Sequence, residues 1–343
     1  MAYNNFATND ALAKKAWDEE LFRDMTKESF FAGLESTKGD NIVHVKTQLE
    51  KGRGDKITIP IRMRLTGAGV TEGQELDGNE EAMTFSNFDL TLAEHRHAVK
   101  VEKGISEHRV AFSITDEARQ AIKDWGVEKI DQLKFDAIFS ASPSKILYRA
   151  SSDGAFAGTA SEATAKAAMS LTNGKLTADF IREAKTWALT NRSSSRVPLR
   201  PVKIGGKPHL MLLCHNDALT DLKKDSKYEN YVREAAERGK ENPFFTGATA
   251  IVDGVVIREH ENCPISADGG GGSVPWTQAT LMGAQALCWA WGRRPETTME
   301  EKDYKKFIGY GIEFICKAGR PVFNSVDYGS VRLYVARGNY SGV

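Results

Sequence analysis

Cysteine is scarce in this sequence, and the way it is placed excludes two kinds of small stabilised domain. The four cysteines lie far apart in the chain and never form a Cys-x-x-Cys pair: Cys214, Cys263, Cys288 and Cys316. A zinc knuckle or a disulfide scaffold needs closely paired cysteines, so neither is encoded here. We predict four reduced, mostly buried thiols.

An excess of charge of either sign is also lacking. Lysine plus arginine total 46 and aspartate plus glutamate total 46, so the net charge is zero. Without a broad basic surface, a dedicated DNA or RNA binder is disfavoured. The chain has 343 residues, of which 41% are apolar, which favours about two domains around a large core.

Long apolar runs are missing as well. No run approaches the roughly 18 apolar residues that a membrane-spanning helix requires. The opening MAYNNFATNDALAKKAW has no apolar core of the signal-peptide type. We therefore expect a protein that stays in the cytoplasm where it is made and does not engage a membrane.

Motifs that carry chemistry are absent too. No serine lies in a Gly-x-Ser-x-Gly elbow, and the glycine run at 269–272 is not followed by the lysine and hydroxyl residue of a phosphate loop. His95 and His97 share one face of a predicted strand, but no ligand set with suitable spacing completes a metal site. The sequence therefore predicts no catalytic residue, no metal and no cofactor. An enzyme whose site forms only in three dimensions remains an alternative.

The first positive signal is an amphipathic segment near the N-terminus. Trp17, Leu21 and Met25 recur every four residues, and Gly33 ends the pattern. A stripe this narrow predicts a helical arm that lies on another surface instead of forming the centre of a core.

A long two-stranded ribbon is predicted next. From Ile57 to Leu65 every second residue is apolar, and Pro60 marks this strand as an edge. Alternation resumes from Met83 to Leu92, with a slip near Asn87 that suggests a bulge. An isolated pair of strands is marginal in water, so the ribbon needs a partner surface.

The tip of this ribbon is acidic. Its carboxylates are Glu72, Glu75, Asp77, Glu80 and Glu81, and no lysine or arginine lies between Thr66 and Asp89. The simplest partner is a basic patch on another subunit. A solvated acidic hairpin tip is the alternative, and covalent crosslinking through a lysine of the tip is not expected.

The remaining pattern predicts an α+β protein with largely antiparallel strands. A long helix is predicted from Asp116 to Phe139 and a shorter one around Phe180–Ala188. The predicted elements of the second half are a strand at Leu210–Cys214 followed by a helix capped at Asn216 or Asp217, a helix over Tyr228–Ala236, a hairpin turning at Asp253–Gly254, a helix over Leu281–Trp291, and strands at Ile308–Cys316 and Val331–Val335. The segment from 143 to 175 predicts only loops and short elements.

Several short motifs give the chain a resemblance to a known family. The run LEKGRGDKITIPIRMRLTGAGVTEGQELDGNEEAMTF closely resembles a segment of the tailed-phage major capsid proteins typified by the coliphage N-four head protein. Further motifs follow in the family's order: Trp125, Glu128–Asp131, Asn242–Gly247, Asp253–Val256, Gly283–Ala286, Asp303–Tyr304, Phe323, Asp327 and Gly329.

The resemblance implies the Hong Kong 97-type phage capsid fold and its division of the chain. The implied parts are an N-terminal arm at 1–55, an extended β loop at 56–92, a peripheral domain with a spine helix at 93–176, an axial domain at 177–304, and a return to the peripheral domain at 305–343. The extended loop then lies across a neighbouring subunit.

The resemblance also implies a function and partners. The expected function is a major capsid protein that self-assembles into the icosahedral head around the double-stranded DNA of a tailed phage. The expected partners are further copies in pentamers and hexamers, a scaffolding protein, a portal and a decoration protein, with the DNA enclosed without sequence-specific binding. The expected location is the virion, assembled in the host cytoplasm. An encapsulin-like nanocompartment shell is the alternative with the same fold.

Overall fold

The protein is described by a computed structural model in which two large β-sheets are joined by a long helix. The described residues are 25, 29–48, 54–62, 65, 67, 69–83, 85–102, 109–110, 113–140, 144–151, 153–159, 161–190, 198–204, 206–230, 250–304, 306–323, 326–338 and 340. Strands and helices are numbered along these segments.

The longest helix is α1, Ile114–Ile138, and it confirms the predicted spine helix. The Ser113 hydroxyl caps its start by accepting a hydrogen bond from the Asp116 backbone N–H at 3.3 Å. The last turn carries no basic residue of its own. Arg332 supplies one, because its guanidinium donates to the Ile138 and Ser140 carbonyls at 2.9 Å each. These bonds satisfy carbonyls that the helix end leaves without partners.

Helix α1 packs on a five-stranded sheet of order β1-β2-β14-β15-β5. The strands are β1 Glu35–Ser36, β2 Val43–Lys46, β5 Ala93–Glu102, β14 Leu287–Lys302 and β15 Phe307–Gly319. Along β15 every second residue is buried, from Ile308 to Ala318. This alternation confirms the predicted strand, and its buried face is the one that meets α1.

The second sheet has nine strands, of which seven follow the order β10-β11-β9-β13-β18-β6-β7. Strand β12 pairs with β13, and β8 pairs with β9. The bounds are β6 Ile146–Arg149, β7 Phe156–Thr159, β8 Val202–Ile204, β9 Lys207–Cys214, β10 Ala250–Val252, β11 Val255–Glu259, β12 Ile265–Gly269, β13 Val274–Met282 and β18 Ser330–Ala336. Helices α2 Glu162–Ala167, α3 Ala178–Thr190 and α4 Asn216–Lys223 accompany this sheet.

Pairing in both sheets is mixed. Most pairs are antiparallel as predicted, but β1–β2, β2–β14, β9–β11 and β6–β18 are parallel. Separate helices and mixed sheets make this an α+β protein, as predicted. Among the described helices, none is both long and apolar enough to pass through a bilayer.

Two turns that contain glycine each connect the strands of a β-hairpin. Asp253 and Gly254 have φ angles of 48° and 76°, so the predicted two-residue turn joins β10 to β11. The glycine run at 269–272 forms a tight turn between β12 and β13, closed by hydrogen bonds from the Gly272 and Ser273 N–H groups to the Gly269 carbonyl.

The predicted helix over Leu281–Trp291 is wrong. Strand β13 ends at Met282, the chain turns through Gln285 at a φ of 60°, and β14 begins at Leu287. The first five residues of β14 are all buried. A strand covered on both faces reads as a continuous apolar run, and its spacing then cannot be distinguished from that of a buried helix.

Two smaller helix predictions also change. The N-cap of α4 is His215, one residue before the predicted position, because its imidazole Nδ1 accepts the Asp217 N–H at 3.1 Å. Helical structure is present at 226–230, while the rest of the predicted helix, to Ala236, lies outside the described residues.

The two sheets draw on segments from across the predicted domain boundaries. Strand β14, within 177–304, pairs with β15 and β2, whereas β6, β7 and β18 lie in the nine-stranded sheet. A small hairpin of β16 Val322–Phe323 and β17 Val326–Asp327 sits where the chain passes between them. Buried Asp327 pairs with Arg320 at 2.9 Å and accepts the Ser144 N–H at 2.7 Å, which ties this crossing to the segment that leads into β6.

Candidate functional site

The predicted ribbon is present and consists of β3 Lys56–Arg62 and β4 Phe85–Thr91. Their antiparallel register runs without a shift from Lys56 opposite Thr91 to Arg62 opposite Phe85. The predicted bulge near Asn87 is therefore wrong. The register places Ile57 and Ile59 opposite Leu90 and Phe88, so the two apolar stripes share one face without any inserted residue.

The base of the ribbon is covered by its own subunit. Ile57 and Leu90 are each 4% exposed and pack with Cys288 and Ala290 of β14. A Cβ atom at Gly319 of β15 would overlap the Leu90 side chain, so a glycine is needed for this approach. The requirement for a partner surface, predicted for the ribbon as a whole, is met at the base from within the chain.

Polar contacts at the exposed edge stabilise the pairing of the two strands. Asp89 lies 2.7 Å from the Lys56 ammonium and accepts a 2.7 Å hydrogen bond from the Thr58 hydroxyl. These two hydrogen bonds lower the pKa of the Asp89 carboxyl. Exposed pairs of this kind contribute little to stability, so the apolar base carries the attachment.

The distal part of the ribbon has no such cover among the described residues. Four large apolar side chains there are 55% to 67% exposed: Leu65, Leu76, Met83 and Phe85. Single exposed apolar residues are ordinary, but four of the eight large apolar side chains that are exposed among the described residues lie in this one ribbon, a concentration typical of an interaction site. Sequence reasoning used three of them only as strand alternation and missed Leu76, which lies inside the acidic run.

The five predicted acidic residues divide into two groups. Glu72, Glu75 and Asp77 are exposed. Glu80 and Glu81 also shape the tip, since their carboxylates accept the Gly78 and Gly67 backbone N–H groups at 2.9 and 2.6 Å. Whether a neighbour's cations meet any of the five stays a prediction.

The predicted arm is described at Met25 only, since Trp17 and Leu21 lie outside the described residues. Met25 is fully buried and packs so closely against Gly126 of α1 that a Cβ atom there would overlap it. Met25 therefore packs within its own subunit, and a contact of the arm with a neighbouring subunit stays a prediction. A segment shortly after Met25 docks on the same helix.

That docking segment, residues 29–36, is held on α1 by buried polar groups. The Asp131 carboxylate accepts the Ser29 hydroxyl at 2.5 Å and the Phe30 N–H at 2.8 Å. Lys134, whose side chain is 2% exposed, pairs with Glu35 at 2.5 Å. The acceptor Asp131 and the donor Lys134 both lie at buried positions of α1, among its apolar residues.

Other groups singled out by sequence have local packing partners. His97 stacks on Trp125 with ring centroids 4.7 Å apart, and His95 lies 5.5 Å from Phe314. Across the described residues, no three histidine, cysteine, aspartate or glutamate side chains cluster as a metal site requires. All four thiols are buried, and burial raises the pKa of Cys214, Cys288 and Cys316 to about 12. Such thiols are inert.

The known proteins that match this chain are phage capsid proteins, and the matches cover nearly all of its length. The family model described as phage capsid protein matches residues 5–336. A protein named major capsid protein, from Pseudomonas phage KPP25, is 25% identical over 97% of this chain and 98% of its own length. The capsid of Ralstonia phage GP4 has a TM-score of 0.77 at 22% identity, covering 99% of this chain and all of that one.

A further solved structure has the same fold. The capsid of cyanophage Pam1 has a TM-score of 0.77 at 20% identity and covers 99% of this chain and 96% of that one. These likenesses place the two sheets, α1 and the projecting ribbon in the Hong Kong 97-type capsid fold. The family match spans nearly every residue of the sequence, and the chain belongs to the phage capsid protein family.

Proposed function

We propose that this chain is the major capsid protein of a tailed phage of the coliphage N-four type, which assembles into the icosahedral head around double-stranded DNA. The observation that carries this proposal is the ribbon, whose base is secured and whose distal part is not. In a monomer the apolar side chains of the distal part remain exposed to water. In a shell every copy has a neighbour to cover them.

The contacts of such a shell are modest and repeated. Interfaces that bury on the order of 1,600 Å² between neighbours become strong together because each copy engages several others. The arrangement we propose is pentamers and hexamers, with 1–55 as the arm, 56–92 as the extended loop, 93–176 and 305–343 as the peripheral domain and 177–304 as the axial domain. No catalytic activity is part of this function.

The partners we propose beyond further copies are a scaffolding protein, a portal and a decoration protein. The proposed location is the virion, with assembly in the host cytoplasm. The zero net charge supports a container that encloses DNA without sequence-specific binding and without adhering to it over its whole inner surface.

Electron microscopy of the purified protein, expressed with and without its scaffolding protein, tests this function. We expect closed shells of uniform diameter, with DNA as the content of particles from infected cells. Small oligomers in both preparations would contradict the proposal. Shells that enclose a defined protein cargo and never DNA would instead identify a nanocompartment.

A further inference from the structure

A polar strip crosses one face of the nine-stranded sheet. On the adjacent strands β13 and β18, Thr280 lies directly opposite Arg332, and Gln278 lies directly opposite Tyr334. Residues two apart on a strand share a face, so all four side chains lie on the same side of the sheet. Along β13 the strip lies between an apolar cluster shared with α2 and one shared with the end of α1. Thr280, Arg332 and Gln278 are 2%, 3% and 8% exposed, so the strip is buried although it is polar.

Three atoms of this strip have no hydrogen-bond partner among the described residues. They are Arg332 Nε, Thr280 Oγ1 and Gln278 Oε1, and all three are buried. The Gln278 amide nitrogen donates to the Tyr334 hydroxyl at 3.3 Å, which leaves the amide oxygen as the free end. A buried polar atom without a partner costs free energy, and nearly all such atoms in folded proteins bond to protein or to ordered water. Three of them on two neighbouring rungs of the sheet point to a bound molecule.

The chemistry of the three atoms selects the ligand. The Arg332 Nε–H group can only donate a hydrogen bond, the Gln278 oxygen can only accept one, and the Thr280 hydroxyl can do either. A ligand that satisfies all three must therefore both accept and donate. Water does so, and a buried water typically has about three partners. An anion such as chloride could accept from Arg332 but could not donate to Gln278.

The spacing of the strip suits a ligand of this size. Directly opposed side chains of an antiparallel pair have Cβ atoms about 5 Å apart, and diagonal pairs are about 7 Å apart. Each hydrogen bond through water spans about 2.8 Å between heavy atoms. One or two water molecules are therefore enough to connect Thr280, Gln278 and Arg332.

The strip is connected to helix α1 through Arg332. One terminal nitrogen of its guanidinium donates to both the Ile138 and the Ser140 carbonyls at 2.9 Å. Because the guanidinium is planar and rigid, a ligand bonded to Nε also fixes the orientation of that terminal nitrogen. The ligand thus acts on the end of α1 without touching it.

We propose that Thr280, Gln278 and Arg332 form a buried water site that couples the nine-stranded sheet to the end of α1. Thr280 and Gln278 hold the water on the sheet, and the water holds Arg332 in the orientation that caps the helix. This inference goes beyond the proposed function, because it concerns the single subunit and is tested on unassembled protein. Its failure would leave the proposed shell untouched, and a protein that forms no shells would leave this site untouched.

Thr280→Val distinguishes a bonded hydroxyl from an unbonded one, because valine has nearly the same shape without the oxygen. Removing a buried hydroxyl that has no partner would remove a penalty and raise the melting temperature. A hydroxyl bonded to water contributes to stability, so we expect the melting temperature of the unassembled protein to fall by about 2 °C or more. A melting temperature equal to or above that of the original protein would overturn the proposal.

Thr277→Val is the matched control. Thr277 is buried on the same strand, and its hydroxyl donates to the Pro264 carbonyl at 2.9 Å. This variant loses a hydrogen bond made within the chain, so its melting temperature should fall by a similar amount. If Thr280→Val does not fold, Thr280→Ser and Thr280→Ala replace it, since these two differ in the hydroxyl alone. The serine variant should then melt at the higher temperature, and the reverse order would count against the site.

Hydrogen exchange tests the coupling to α1. The Phe139 amide donates to the Phe135 carbonyl at 2.9 Å at the end of this helix. In Thr280→Val this amide should exchange about fivefold faster, because Arg332 is no longer held in place, whereas Thr277→Val should leave its rate unchanged. Equal rates in the two variants would show that the site does not act on α1.

The identity of the ligand can be read from a structure determined at a resolution that shows waters. We expect density within about 3.2 Å of both Thr280 Oγ1 and Arg332 Nε, and a strip without such density would overturn the proposal. Melting in phosphate and in chloride at equal ionic strength separates water from an anion. Equal melting temperatures are expected, while a rise in phosphate that Thr280→Val abolishes would identify an anion site and contradict the assignment of water.

Discussion

The two halves of the ribbon share a sequence pattern but differ in what holds them. At the base, Ile57 and Leu90 are buried against β14, and the missing side chain of Gly319 leaves room for Leu90. In the distal half, Phe85 and Leu76 are 58% and 67% exposed. An alternating apolar stripe therefore predicts that one face of the ribbon is buried, but it does not indicate which molecule buries it.

The same contrast holds for the arm. Residues 29–36 are fixed on α1 by buried hydrogen bonds and the Lys134–Glu35 pair. Stability of the subunit should therefore depend on the ribbon base and the arm, while assembly should depend on the distal ribbon. Variants that change either subunit stability or assembly, but not both, would support this division of roles. Variants that change both would contradict it.

The largest loss of subunit stability is expected at the arm. Glu35→Ala leaves the Lys134 ammonium buried without its carboxylate, and breaking such a pair costs about 3–5 kcal/mol. Urea unfolding of the unassembled protein measures this loss. The double variant Glu35→Ala with Lys134→Met should recover much of it, since both charges are then gone. A single variant as stable as the original would show that the pair does not hold the arm.

At the ribbon base we expect a loss of about 2–4 kcal/mol for Leu90→Ala, as for other buried leucines. Urea unfolding again provides the measurement. Leu76→Ala is the control, because its exposed side chain should change stability by no more than about 0.5 kcal/mol. Equal losses for the two leucines would remove the distinction between base and tip.

In the distal ribbon the effect should move from stability to assembly. Replacing Leu65, Leu76, Met83 and Phe85 together by serine should leave the unfolding curve nearly unchanged and prevent shell formation, because no apolar area remains to bury between copies. Light scattering during assembly measures the loss. Normal shells from this variant would mean that these four side chains do not lie at an interface between copies.

Charge reversal at the tip should have a smaller effect. Glu72→Lys, Glu75→Lys and Asp77→Lys avoid Glu80 and Glu81, whose carboxylates bond the tip backbone. If cations of a neighbour meet the tip, assembly should weaken and its salt dependence should change. The neutral Gln and Asn variants at the same positions should fall between. Unchanged salt dependence in the reversed variant would favour a merely solvated tip.

The smallest expected effect is the pH dependence of the arm. The His260 ring packs against Phe30 and Phe135, with ring centroids 4.7 and 4.4 Å apart. Burial lowers the pKa of His260 below the usual 6.5. A histidine with a lowered folded pKa stays neutral when folded but charges when unfolded, so stability is retained above pH 6.5 and falls as the pH drops below it. In the His260→Phe variant, the free energy of unfolding measured in urea should fall less between pH 7 and pH 5. If it falls as steeply as in the original protein, the pH dependence comes from His44, His95 or His215, whose pKa values are also lowered.

The sequence could predict those elements whose signal is local. Helix α1, strand β15 and the ribbon each show one period over many residues, and each was found where predicted. Strand β14 was missed because burial on both faces removes alternation. The Asn87 slip was misread because Phe85 is exposed at the end of the strand pairing, so it does not have to share the buried face.

The site was predictable only in outline. Its acidic residues and its length are visible in the sequence. The division into a held base and an uncovered distal part depends on Gly319 and Gly292 meeting leucines 200 or more residues away in the chain, a contact that no local pattern records.

A reconstruction of assembled particles by electron cryo-microscopy tests the central claim most directly. It should show Leu65, Leu76, Met83 and Phe85 within about 4.5 Å of apolar atoms from another copy of the chain. A ribbon whose distal half lies on its own subunit, or projects into solvent with these four side chains uncovered, would contradict the account.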